Sequence, residues 1–372
     1  MQWSETRSKS MKRKGVCYDV GRVLLGENWR PTFDPQIVHR ELEIIKNDLH
    51  CNAIRICGQD LERLTIAAED ALYQGFEVWL SPELFDHSPQ ETLDYLITAA
   101  AVAEKLRQQW PDKLVLSIGS ELTLFMKGIL SGDTFLDRIG NGNPFLLPLL
   151  LLRLRLLRTH NKPLNAFLTQ ATQAVRNVFH GPITYASIPI EDVDWSLFDI
   201  VCVDYYRGKQ NRASYGEHLQ RYIAYGKPVV ITEVGCCTYQ GAEDKGGRAF
   251  LIVDRKHPER LQSGYVRDEE LQAHEVTDML GVLDTVGVDG AFVFTFVTPT
   301  LKYHEDPLYD FDKASYSLVK SSAPGLYGTT YPDMPWEPKA SFKAVATYYA
   351  SHETRGTPIW CVVEGVYESS AS

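Results

Sequence analysis

Short apolar runs rich in β-formers alternate with amphipathic helical stretches along almost the whole chain, and no linker interrupts them. Repeated βα units of this kind leave few architectures open, because each helix must pack back on the sheet that its flanking strands build. The runs are KGVCYDV (Lys14 to Val20), CNAIRIC (Cys51 to Cys57), FEVWLSPEL (Phe76 to Leu84), KLVLSIGSEL (Lys113 to Leu122), PITYASI, WSLFDIVCVDYY, KPVVITEVG (Lys227 to Gly235) and GAFVFTFV (Gly290 to Val297). Helical spacing recurs through ELEIIKNDL, from Leu61 to Gln74, from Pro89 to Gln109, through LNAFLTQATQAVRNVF, from Glu269 to Val286 and in ASFKAVATYYASH. The pattern predicts an α/β chain folded as a single (β/α)8 TIM barrel over residues 14–352, with a long insertion after the fourth strand, about 123–163. A basic, disordered stretch at 1–13 precedes it, and a tail at 353–372 follows. An open doubly wound sheet fits less well, since no Gly-x-Gly-x-x-Gly follows the first strand and no phosphate-loop GK[ST] occurs.

Composition narrows the partners. With 38 Lys+Arg against 48 Asp+Glu the formal net charge is −10, which repels nucleic acid and anionic membranes outside the short basic start. Seven cysteines, an odd number, mostly sit inside apolar runs and have no metal-ligand spacing, so they read as buried thiols. The N-terminus carries no apolar segment of signal-peptide length, and the expected location is cytoplasmic. The most apolar stretch, FLLPLLLLRLRLL (Phe145 to Leu157), is too short for a membrane span and is broken by Pro148, Arg153 and Arg155. It reads either as a helix packed on the body or in a homo-oligomer contact, or as a hydrophobic lid over a site.

In such a barrel the catalytic groups stand at the C-terminal ends of the strands. The fourth run ends in Glu121 and the seventh in Glu233, both after apolar residues that point them to the mouth. Two facing carboxylates suit acetal chemistry, one attacking the anomeric carbon and one protonating the leaving oxygen; retention needs them about 5–5.5 Å apart. Other barrel chemistries lack their residues: no strand ends in a Schiff-base lysine, no His-x-His follows the first strand, and the last loops are poor phosphate cradles.

The Glu ending LSIGSEL and the Glu within KPVVITEVG resemble the acid/base and nucleophile of the clan A glycoside hydrolases, here Glu121 and Glu233. FDIVCVDYYRG resembles the clan's sixth-strand motif, which implies Tyr206 as the phenol bonded to the nucleophile, with Asp204 on the same strand face. NAIRICG resembles the second-strand motif and implies Arg55 beside Glu233. The resemblance implies a retaining glycosidase or transglycosidase acting on a carbohydrate, with no cofactor and no metal. Two positions depart from the clan. Ser120 stands where an Asn usually precedes the acid/base, and the eighth strand has no Trp, leaving Phe294 or Phe296 to stack on the sugar. The whole chain is also similar to bacterial proteins labelled "abortive infection protein", through its YDxG, NAIRI, EVWLSP and GSELTLF phrases; a non-catalytic sugar-binding or phage-defence barrel is the alternative role.

Further candidates are weaker. Trp29 and Arg30 line the mouth or cover the core. Glu83, ending the third strand, is the rival to Glu121. His304, with Glu305 and Asp306, forms a polar cluster that reads as a contact for sugar hydroxyls or a cation, or as a plain surface loop. Tyr239 lies close enough to the seventh strand to reach a subsite, and Trp79 and Trp195 read as packing residues.

Overall fold

The computed structural model describes residues 11–140 and 146–352. The eight parallel strands of a closed barrel are β1 (Arg13–Asp19), β2 (Ala53–Gly58), β3 (Glu77–Pro82), β4 (Leu114–Ser120), β5 (Ile183–Ser187), β6 (Val201–Asp204), β7 (Val229–Val234) and β8 (Gly290–Val293). Each pairs with its neighbours in sequence, and β8 returns to β1 with Gly15 opposite Phe292. Alternate residues face inward, and Cys17, Ala53, Trp79, Val115, Val230 and Phe292 fill the interior as a packed layer. Gly15 is part of that packing, because a Cβ there would stand 2.4 Å from the Phe292 ring.

Outward residues such as Val16, Ile54 and Leu80 are covered by the helical layer. Three helices, α1 (Pro35–Asn47), α2 (Leu61–Tyr73) and α3 (Pro89–Gln109), begin at side-chain caps from Asp34, Asp60 and Ser88, which satisfy otherwise orphaned amides. Between β4 and β5 the chain inserts α4 (Leu122–Phe125), α5 (Phe135–Arg138) and α6 (Leu146–Leu157) before the layer helix α7 (Asn161–Arg176). Short α8 (Gln220–Ile223) precedes β7, while α9 (Glu269–Val286) and α10 (Ala340–Ser351) complete the layer.

The sequence pattern and the structure agree on the helices over Pro89–Gln109 and Glu269–Val286. Strands are shorter than their apolar runs: Trp195–Leu197 is a 3-10 turn ahead of β6, and β8 stops at Val293. Order begins earlier than expected, since the buried Met11 donates its amide to Asp284 Oδ1 at 2.7 Å and Arg13 opens β1. Residues 1–10 and the tail 353–372 lie outside the described residues, as does Cys361. The other six cysteines are buried and free. On α6, Leu154 is buried while Leu149, Leu152 and Leu156, spaced three and four apart, are exposed. Among the described residues no helix is long and apolar enough to cross a membrane.

Candidate active site

Two strand ends depart from strict alternation, and they are the two that carry the facing carboxylates. Along β7, Val230 points inward, so alternation would aim Thr232 inward and Glu233 at the helices. Instead the register slips on both sides: Val203 and Asp204 face Ile231 and Glu233, and Ala291 and Val293 face Ile231 and Val234. The extra residue belongs to β7, and this bulge re-aims Glu233 to the mouth. In β4 the slip lies between Ser117 and Ser120, where Gly119 adopts φ +127°. Glu121 follows in the left-handed region (φ 46°, ψ 41°), which is costly for a residue with a Cβ. The next amides fix it there: Leu122 N–H donates to the Tyr185 hydroxyl at 2.8 Å and Thr123 N–H to Glu191 at 3.1 Å.

These backbone devices bring three carboxylates together. One oxygen each from Glu121, Asp204 and Glu233 lie within 4.8 Å of one another. Glu233 Oε1 accepts from Arg55 Nη1 at 2.7 Å and Arg22 Nη2 at 3.2 Å, and its Oε2 accepts from the Tyr206 hydroxyl at 2.8 Å. Arg55 has no exposed side-chain surface and also reaches Glu83 Oε1 at 3.1 Å. Glu83, which also lines the pocket, is held by Arg22 as well, at 2.5 Å, so the third-strand carboxylate aligns two guanidinium groups, a partnership Glu121 lacks. Asp204 lies buried below Ser120, whose hydroxyl donates to Asp204 Oδ2 at 3.2 Å.

The environments push these acids apart. Burial raises Glu233, yet the Arg55 and Arg22 charges and the Tyr206 hydroxyl outweigh it and hold the carboxyl below its ordinary range. Burial and the charges of Asp204, Glu233 and Glu191 push Glu121 well above that range. Asp204 is pushed up to about 8, by burial first and then by Glu233. A site with one ionised and one protonated carboxyl at neutral pH can supply a nucleophile and an acid side by side.

A pocket of about 340 Å³ opens over this floor, lined by Arg22, Ser120, Glu121, Tyr206, Glu233 and Phe294 among others. Trp29 lines it too, while its neighbour Arg30 is buried and ion-paired with Glu41 at 2.5 Å, a core role. Leu150 brings α6 to the pocket wall. A wider depression of about 900 Å³ on the outer face, by Gly216, His274 and Asp278, holds none of these groups.

Three expected contacts fall elsewhere. Phe296 is buried against Tyr18, Trp336 and Phe342, because β8 ends at Val293 and counting by twos no longer holds beyond it; Phe294 is the ring at the pocket. The Phe294–Thr295 peptide is cis. Tyr239 is fully buried and donates to Ala249 O at 2.7 Å, pinning the loop after β7 from below. His304 sits on an exposed loop, where its Nδ1 accepts from the Asp306 amide at 2.9 Å. Trp79 and Trp195 are packing residues as expected. Sequence reasoning missed Arg22, whose signal is an arginine directly after Gly21, the glycine that follows the first strand's run.

No known family profile matches the chain, and no curated protein sequence does. Solved structures do. A GH113 beta-1,4-mannanase superposes with a TM-score of 0.57 at 13% identity, covering 92% of this chain and 99% of the mannanase. The GH113 beta-mannanase of Alicyclobacillus acidocaldarius, solved in complex with ManMIm, gives 0.56 at 13% identity, covering 93% and 100%. Bacteroides uniformis beta-glucuronidase 2, covalently bound to cyclophellitol-6-carboxylate aziridine, gives 0.53 at 15% identity over 92% of this chain and 35% of the glucuronidase. At such identities the likeness establishes a shared (β/α)8 fold.

Proposed function

We propose that this chain is a retaining glycosidase, working by hydrolysis or by transfer to another acceptor. The carrying observation is that one carboxyl oxygen of Glu121 and one of Glu233 lie within 4.8 Å of each other, in opposite charge environments. That spacing suits double displacement, whereas inversion needs room for a water, with carboxyls about 6.5–9.5 Å apart. The fold neighbours, a beta-mannanase and a beta-glucuronidase, support the same chemistry.

In this reading Glu233 Oε attacks the anomeric carbon while the C1–O bond to the aglycone breaks. Glu121 gives its proton to the departing oxygen, which leaves as an alcohol. A covalent glycosyl ester on Glu233 remains. Glu121, now ionised, takes a proton from water as that water attacks the same carbon and releases Glu233. Arg55 and Arg22 keep Glu233 ionised for the first step, and Tyr206 fixes the orientation of its second oxygen. Ser120, which lines the pocket beside Glu121, would face the sugar 2-position, with Asp204 beneath it bonded to its hydroxyl.

Glu233→Gly tests this. Turnover of an activated aryl glycoside is expected to fall by at least ~10⁴-fold, and external azide to restore release with a glycosyl azide as product. Full activity in the variant would remove Glu233 from the reaction.

A further inference from the structure

The floor of the pocket is polar and its walls are hydrocarbon. Phe85, Phe125 and Phe135 form a continuous stack with centroids 4.2 and 4.8 Å apart and planes tilted by 21° and 20°. In such a stack the rings cover one another's faces, so this part of the wall offers the cavity mostly edges. Leu24 and Leu251 pack on the same cluster from the loops after β1 and β7, and Leu150 adds α6. Phe250, Val253 and Leu301 continue the apolar lining. Outside the floor the polar side chains of the lining are Trp29, Arg248, Thr298, Thr300, Ser315 and Tyr316, and the last two hydroxyls are already bonded, to Ser317 Oγ and Gly246 O.

A second sugar placed against these walls would bury several hydroxyls with few partners, each unpaired one lowering affinity roughly five-fold or more. Hydrocarbon placed there gains about four-fold per methylene. The volume of about 340 Å³ lies near the lower end of small-ligand cavities, enough for one glycone and a short group beyond it. An extended glycan would need an open cleft with successive polar subsites.

Resting on the glycosidase reading above, we infer that the substrate is a glycoside whose aglycone is apolar, an alkyl or aryl group seated against the phenylalanine stack and Leu150 of α6. The glycone takes the polar floor. The insertion between β4 and β5 thus sets specificity for the leaving group, by supplying Phe125, Phe135 and Leu150 to one wall.

The test separates this inference from the chemistry. Methyl, butyl and hexyl β-glycosides share an alkanol leaving group, so their differences report binding of the chain. In Glu233→Gln protein, calorimetry below the micellar concentration, over glucoside, mannoside, galactoside and glucuronide series, is expected to find a glycone whose hexyl glycoside binds at least ~30-fold more tightly than its methyl glycoside. Disaccharides of that glycone are expected to bind no better than the methyl compound. In the same background, Leu150→Gln with Leu251→Gln is expected to narrow the hexyl-to-methyl ratio by about ten-fold. Equal affinities along every series, no measurable binding of the hexyl compounds, or a disaccharide bound more tightly overturns the inference. If the hexyl preference holds but wild-type protein cleaves no glycoside in the panel, the glycosidase reading falls and the apolar pocket assignment stands.

Discussion

Burial beside other acids makes Asp204 hold its proton when the unfolded chain would release it. Its carboxyl is pushed from an ordinary 3.8 up to about 8, by burial and by Glu233, and Glu121 is raised in the same direction. Between about pH 4 and pH 8 the folded state therefore binds more protons than the unfolded state, and stability falls as pH rises through that window. Each such group contributes at most about 1.4 kcal/mol per pH unit. Glu233 is shifted downward, so its stabilising contribution is lost only as pH falls below the ordinary carboxylate range. Asp204→Asn keeps an oxygen to accept from Ser120 while removing the titration, and it is expected to flatten the decline in thermal midpoint between pH 5 and pH 8. An unchanged pH slope in the variant would show that Asp204 ionises freely in the fold. At this scale much of the site was legible: Arg55, Tyr206 and both glutamates meet as expected, because strand ends in a barrel converge. Arg22 was not, since a loop residue has no period to betray where its side chain goes.

Single elements show where pattern reading stops. The helices carry caps and a 3.6-residue period, so α3 and α9 could be bounded from sequence. A bulge leaves no such mark: TEV in β7 reads as plain alternation, and only pairing with β6 and β8 reveals the extra residue that turns Glu233 inward. The insertion is harder still, because its short α4 and α5 are held by scattered polar and ring contacts, those of Arg138 among them, and not by periodic burial. Arg138 donates to Leu124 O at 2.6 Å, Gly132 O at 3.0 Å and Phe125 O at 3.2 Å, and pairs with Asp86 in the loop after β3. Arg138→Ala would strand the Leu124 and Gly132 carbonyls and the Asp86 carboxylate, while Phe125 O keeps the Asp86 amide at 2.8 Å, at a cost of ~3–5 kcal/mol. The small Phe135–Ile139 cluster is poorly placed to absorb that, so the expected result is local opening with the barrel intact. Chymotryptic cleavage near Phe125 and Phe135 should accelerate by ~10²-fold, with little change in global unfolding. A digestion pattern identical to wild type would mean the insertion is anchored by other contacts.

The whole molecule is one closed surface, and closure couples its two ends. The first strand pairs with the last, and α10 is tied to β1 from the side opposite the carboxylates: the Tyr349 hydroxyl donates to Gly15 O at 2.9 Å, and Lys14 Nζ donates to Tyr349 O at 3.0 Å. Tyr349 is fully buried, with Val345 and Phe342 beside it on the same helix. A barrel has no free strand edge at which to fray, so a defect at its base should be felt at its mouth. Tyr349→Ala is expected to cost ~3–5 kcal/mol through the cavity it leaves, and Tyr349→Phe only about 1 kcal/mol through the lost hydrogen bond. Urea titrations followed by circular dichroism and by turnover of an aryl glycoside should move to lower midpoints together, with the slope unchanged. If turnover instead disappeared in an earlier, separate transition, the C-terminal half of the barrel would be shown to open on its own, carrying Glu233 on β7 away from Glu121 at the end of β4.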